Sequence, residues 1–141
     1  FFPFPYQDEL LETMIADGEG LANNFIPFHT IISIFSDAIT YHAYGTLCYQ
    51  FFGNILLFIP LGFSLYCYFK EDKKFVRMLC SVIAITVFVE IWQWVFNAML
   101  QVNYRCVDVD DIILNTIGGI LGFCIASFGI SMLKSFFGKN K

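Results

Sequence analysis

Gln50-Phe-Phe-Gly-Asn-Ile-Leu-Leu-Phe-Ile-Pro-Leu-Gly-Phe-Ser-Leu-Tyr-Cys-Tyr-Phe69 carries no formal charge over a length that crosses a bilayer as a helix. Pro60 would kink or break a soluble helix here. Inside a membrane, neighbouring helices satisfy the backbone groups that a proline frees, so the stretch reads as a span. Two more follow. Phe75 to Met99 is interrupted only by Arg77 near one end and Glu90 deep inside, and Ile112 to Phe137 only by Lys134 near its close. The whole chain of 141 residues agrees: 57% are apolar and 14% charged, against about 25% charged in soluble domains.

The expected architecture is an all-α integral membrane protein, one domain over residues 1–141, with about three transmembrane helices at 50–69, 75–99 and 112–137. Short interfacial helices belong to residues 1–49. Asp8 to Ala16 places Leu10, Leu11, Met14 and Ile15 on one side. Thr30 to Tyr44 places Ile31, Ile34, Phe35, Ala38 and Ile39 on another apolar stripe. The chain opens at Phe1 without an initiator Met, so an upstream segment, a signal or another span, is expected to be missing.

Of the eight basic residues, Lys70, Lys73, Lys74, Arg77, Lys134, Lys139 and Lys141 fall on one side of these spans and Arg105 alone on the other. By the positive-inside rule the C-terminus and the 70–74 loop are cytoplasmic, and residues 1–49 and 101–111 face out. A net charge of -4 with no basic face excludes nucleic acid as a partner. An aromatic share of 19% excludes a disordered chain.

Glu90 lies sixteen residues beyond Lys74, about 24 Å along a helix, in the outer half of the bilayer. A carboxylate at that depth faces a partner, a wet cavity or the bundle interior. Gln93 and Asn97 share its face at i+3 and i+7. Asn54, Asn115 and Thr116 lie at a similar level on the other spans. Asn115, Gly118, Gly119 and Gly122 follow i, i+3, i+4, i+7, a groove into which another helix can settle closely.

The outer loop sets Asp108, Asp110 and Asp111 beside Arg105. An aspartate capping the third span explains one of the three, since Asp110 and Asp111 immediately precede the Ile112 run. The spacing is not that of a calcium loop, and no metal or cofactor is expected. Five cysteines show no C-x-x-C spacing. Cys48 and Cys106 are both expected outside, where a bridge between them is conceivable. No nucleophile triad, phosphate loop or zinc-protease motif is present.

Asn24-Phe-Ile-Pro-Phe28-His-Thr-Ile31, Gly53-Asn54 through Pro60-Leu-Gly62, Glu90-x-x-Gln93, Arg105-x-x-Asp108-x-Asp110-Asp111 and Asn115-Thr-x-Gly118-Gly together resemble the VanZ-like family, over about residues 23 to 122. The resemblance implies a small bacterial protein of the cytoplasmic membrane, associated with resistance to the lipid-tailed glycopeptide teicoplanin. Its markers fall on Asn24, Pro27, Phe28, Asn54, Pro60, Gly62, Glu90, Gln93, Arg105, Asp108, Asp111, Asn115 and Gly118. Family members usually carry another span ahead of the first block, which fits a chain that starts part-way.

Three functions remain open from sequence. One is a protein that binds or remodels an amphiphile in the outer leaflet through Asn54, Glu90, Gln93, Arg105, Asp108, Asp111 and Asn115. Its partner would be a membrane lipid, a lipid-linked cell-wall precursor or a lipoglycopeptide antibiotic. A second is a membrane enzyme with Glu90, Arg105 and Asp108 as catalytic candidates, Glu90 as acid or base and Arg105 holding an anionic headgroup. The third is a structural or transport subunit whose polar residues only join helices.

Overall fold

The computed structural model describes residues 23–69, 74–100 and 106–138. Its elements are α1 (His29–Tyr41), a short α2 (Tyr44–Leu47), a π-helical turn (Cys48–Phe52), α3 (Gly53–Tyr68), α4 (Lys74–Leu100) and α5 (Val109–Gly138). No strand occurs among the described residues; a single parallel bridge joins Asn24 to Asp108. Three continuous helices are long and apolar enough to cross a membrane: Tyr44–Tyr68, Lys74–Met99 and Val109–Phe137. The all-α membrane architecture read from the sequence is the one observed.

Two ends differ from expectation. The first span begins at Tyr44 rather than Gln50, because α2 runs through the π-helical turn into α3 without leaving the helical path. Such a turn bonds i to i+5 and carries no marker in an apolar sequence. The third begins at Val109, three residues before the apolar run, because its first turn is built from the aspartates themselves. The helix expected at Asp8–Ala16 lies outside the described residues.

α3 and α5 are packed backbone to backbone. A methyl group placed on Gly62 would overlap the carbonyl of Gly119, one on Gly118 the carbonyl of Ile55, and one on Gly122 the carbonyl of Ile59. Ile55, Ile59 and Gly62 recur at i, i+4, i+7, as do Gly118, Gly119 and Gly122 at i, i+1, i+4. Two matched stripes therefore meet where side chains would hold the helices apart. On the side of the bundle nearer the basic ends, α4 closes this pair. Phe58, Met78, Val82 and Phe123 form the buried apolar cluster, with Leu61, Leu65, Tyr66, Phe69 and Ile120 packed around it. Phe123 meets Tyr66 and Phe75 edge-on, at ring separations of 4.9 and 5.3 Å, and the Lys74 ammonium sits 3.8 Å above the Tyr66 ring. Within α3, the Ser64 hydroxyl donates to the Pro60 carbonyl at 2.8 Å.

At the acidic end the packing is polar. α1 buries only Ile34 and Ala38, whereas Ile32, Phe35 and Ile39 on its other sides stay exposed, the distribution of a helix with one side against the bundle.

Candidate functional site

The polar residues of the acidic end converge because α5 starts among them. Asp108 is the residue before α5, and its carboxylate accepts the Asp110 N–H at 2.8 Å, the bond that caps a helix. The cap was expected at Asp110 or Asp111. It falls at Asp108 because the chain turns at the Asn24 bridge and both later aspartates already lie in the first helical turn.

Asp110 caps a different helix. Fully buried, it accepts the Phe28 N–H through Oδ1 and the Ile31 N–H through Oδ2 at 3.0 Å, so a carboxylate from α5 closes the N-terminus of α1. α1 needs this. Phe28, which precedes it, has no capping side chain and sits in the left-handed region at φ 67°. Asp111 takes a third role and accepts from the Asn54 amide of α3. All three aspartates thus have structural bonds, where capping had accounted for only one.

Asn24 ties the segment ahead of α1 to the start of α5 and has every polar group bonded. Its N–H donates to the Val107 carbonyl at 2.9 Å and its carbonyl accepts from Val109 at 3.1 Å. Its side-chain amide donates to Asp108 at 2.8 Å and Thr30 at 3.0 Å, while its side-chain oxygen accepts the Ile26 N–H. Asn23 adds a bond from the Val107 N–H.

α4 meets this junction through one face. Thr86, Glu90, Gln93 and Asn97 fall within about 60° of arc at 3.6 residues per turn, and Thr86, Glu90 and Asn97 are buried. The Glu90 carboxylate accepts the Asp108 N–H at 3.1 Å, so the residue read as the deepest charge holds the loop that opens α5. One turn further in, the Asn115 amide donates to Thr86 at 2.9 Å. Two buried oxygens in this neighbourhood, Gln93 Oε1 and Asn115 Oδ1, meet no donor.

Of the residues singled out from sequence, Asn54, Glu90, Asp108 and Asp111 are joined by these bonds, Asn115 bonds Thr86 separately, and Gln93 shares the Glu90 face. Arg105 lies outside the described residues. Sequence reasoning left out Thr86 and gave Asp110 only a cap on its own helix, because its partners lie 79 and 82 residues away. The available signal for Asp110 was a helix start at Phe28 with no Ser, Thr, Asp or Asn to cap it. Neither Cys48 nor Cys106 is in a disulfide, so the bridge considered between them is not formed. The Cys106 thiol is pushed above its ordinary pKa, chiefly by burial and next by the Asp108 carboxylate. Among the described residues no three His, Cys, Asp or Glu side chains converge as a metal site would require.

A bundle of helices long and apolar enough to cross a membrane, with a buried, acceptor-rich polar junction at one end, defines a multi-pass membrane protein. The chain belongs to the VanZ/LLP1 family, whose profile matches residues 1–132. No curated protein and no solved structure matches it significantly.

Proposed function

We propose that the protein lowers susceptibility to lipid-tailed glycopeptide antibiotics by binding or remodelling an amphiphile at the outer leaflet, with the junction around Glu90, Gln93 and Asn115 as the contact. Family membership supports the setting. The observation that carries the reading is two buried amide oxygens without donors, Gln93 Oε1 one turn from Glu90 and Oδ1 of the Thr86-bonded Asn115, since a seam serving only to pack helices has no reason to leave acceptors unfilled. The junction lies at the acidic end, which in this reading faces outward in the bacterial cytoplasmic membrane with the C-terminus inside. Outside labelling of Lys139→Cys in intact cells, on a cysteine-free background, would overturn that orientation.

The functional test compares teicoplanin with vancomycin on cells with and without the gene. Protection should be larger against teicoplanin, whose acyl chain places it in the leaflet, and Glu90→Gln, Gln93→Leu or Arg105→Gln should lose protection at normal membrane abundance. Equal protection against both antibiotics would sink the proposal.

A second reading, a purely structural polar seam, is favoured by how many of these residues satisfy one another: Asn54 with Asp111, Thr86 with Asn115, Asn24 with Asp108. It requires every polar variant to lose protein in proportion to lost protection, which quantitative membrane immunoblots resolve.

A further inference from the structure

α5 outruns its neighbours at the basic end. α3 stops at Tyr68 and α4 starts at Lys74, whereas α5 continues to Gly138 and leaves residues 131–137 exposed. Tyr66 stands in the corner this step makes. Its ring meets Phe123 of α5 edge-on at 4.9 Å, with the Lys74 ammonium of α4 3.8 Å from the ring centroid. Its hydroxyl is hydrogen-bonded to Ser127 of α5, and the Lys74 and Lys134 ammonium groups both act on it. Lys134 lies two turns beyond Ser127 on the same face of α5, and helical side chains lean toward the N-terminus, so its stem points back to the corner.

Two ammonium groups from two helices thus flank one neutral phenol. They repel each other, and no described carboxylate comes between them. The Asp and Glu residues among those described, Asp37, Glu90, Asp108, Asp110 and Asp111, all belong to the acidic end. In sequence, Glu71 and Asp72 of the connection to α4 are matched in formal charge by Lys70 and Lys73 beside them. A preference of lysines for the cytoplasmic side explains why they gather here. It does not explain why two of them, on different helices, converge on one hydroxyl.

We infer that Lys74, Lys134 and the Tyr66 and Ser127 hydroxyls bind an anionic phosphate group at the end of the bundle opposite the Glu90 junction. An ammonium carries three N–H donors, so both lysines keep donors for phosphate oxygens, and an anion between them turns their repulsion into two attractions. The corner lies where α3 ends and α4 begins, at the level of lipid headgroups. A phosphodiester lipid of net negative charge is therefore the nearer source, and free phosphate the other. The inference does not rest on the amphiphile reading above.

The full chain, purified in detergent, is titrated with phosphatidylglycerol, phosphatidylcholine and sodium phosphate at constant ionic strength. Binding is followed by thermal melting and by the intact mass of the complex. Phosphatidylglycerol should raise the melting temperature more than phosphatidylcholine, whose phosphate is offset by its own cation. Competition by sodium phosphate identifies the anion as sufficient, and its inertness identifies the lipid as the source. Lys134→Gln should weaken phosphatidylglycerol binding about tenfold, the loss of a bond to a charged group, and Lys134→Arg should restore most of it. Lys134 is exposed, so its replacement leaves the packing intact, whereas Lys74→Gln also strips the Tyr66 ring of its cation. Lys141→Gln removes the same charge from the same end of the sequence and should change the affinity by no more than about twofold.

Equal response to the two lipids overturns the inference. So does an equal loss from Lys134→Gln and Lys141→Gln, which would mean that the basic end attracts anions as a whole. The corner and the junction lie at opposite ends, so the two readings fail separately. Loss of lipid selectivity here leaves the teicoplanin comparison standing, and equal protection against both antibiotics leaves the phosphate site standing.

Discussion

The α3/α5 seam and the junction at the acidic end hold the same helices by opposite means. In the seam, glycines bring two backbones into contact and no side chain intervenes. In the junction, side chains do nearly everything: Asp108 caps α5, Asp110 caps α1 and Asp111 binds α3. Lipid tails are as apolar as leucine, so apolar burial does little to drive membrane helices together; close packing and polar bonds must do it. The molecule divides those two means between two places. The seam therefore tolerates no added atoms, and the junction tolerates no lost acceptors.

The most severe way to break this division is Gly118→Leu, whose side chain would meet the Ile55 backbone, which cannot move away. Folded protein in the membrane should fall to a small fraction of wild type. Gly129→Leu is the control, since nothing lies within 4 Å of its added carbon, and it should accumulate normally. Equal losses in both, measured by membrane immunoblot, would mean that the seam is not a backbone contact.

Asp110→Ala comes next. It removes the acceptor for two N–H groups and the hold on a left-handed Phe28, a cost of roughly 2–4 kcal/mol by analogy with lost caps and stranded donors. The damage should stay local. Hydrogen exchange should accelerate in the first turn of α1 while the α3/α5 seam keeps its protection; uniform acceleration would show that the two regions are one cooperative unit.

How far each region was legible follows from the same contrast. The seam was visible in Asn115, Gly118, Gly119 and Gly122, because helix periodicity alone places small residues on one stripe. The junction was visible as a list, since a glutamate within an apolar helix and asparagines at one depth are anomalies that sequence displays. Its wiring was not. Asp110 bonds α1 across 79 residues, Asn24 bonds Asp108 across 84, and no local periodicity encodes pairings of that separation. The π-helical turn before Asn54 was equally silent, because nothing in an apolar run marks a change from i+4 to i+5 bonding.

A smaller effect probes the α4/α5 contact within the junction. Thr86→Val keeps shape but removes the acceptor of the Asn115 amide, leaving that side chain with neither bond, at about 1–3 kcal/mol. Adding Asn115→Leu should restore part of the loss, so the pair should be non-additive in melting temperature. Strict additivity would mean that Thr86 and Asn115 do not act as a unit.

The smallest effect reads the junction without disturbing it. Cys106 lies between the Asn24 bridge and the acidic cluster; burial raises its thiol pKa most, the Asp108 carboxylate next, with Asp111 and Glu90 adding and a backbone hydrogen bond from Asn24 opposing. A thiol reacts with maleimides as the thiolate, so Cys106 in the folded protein should be alkylated more slowly than in the denatured chain, and its rate should climb at higher pH. The linkage has a definite sign. Because the folded-state pKa lies above the unfolded one, this thiol's contribution to stability is complete below the ordinary thiol pKa and is lost as the pH rises through the folded value. Asp108→Asn keeps a capping side chain but removes the charge that acts most on the thiol, so the alkylation profile should move part of the way back and no further, burial being the larger cause. Mass spectrometry of the Cys106 peptide from about pH 7 to 10 measures both. A wild-type profile that coincides with the denatured chain's would show an acidic end open to water, and the contrast between a closed seam and a closed polar junction would then fail at the junction.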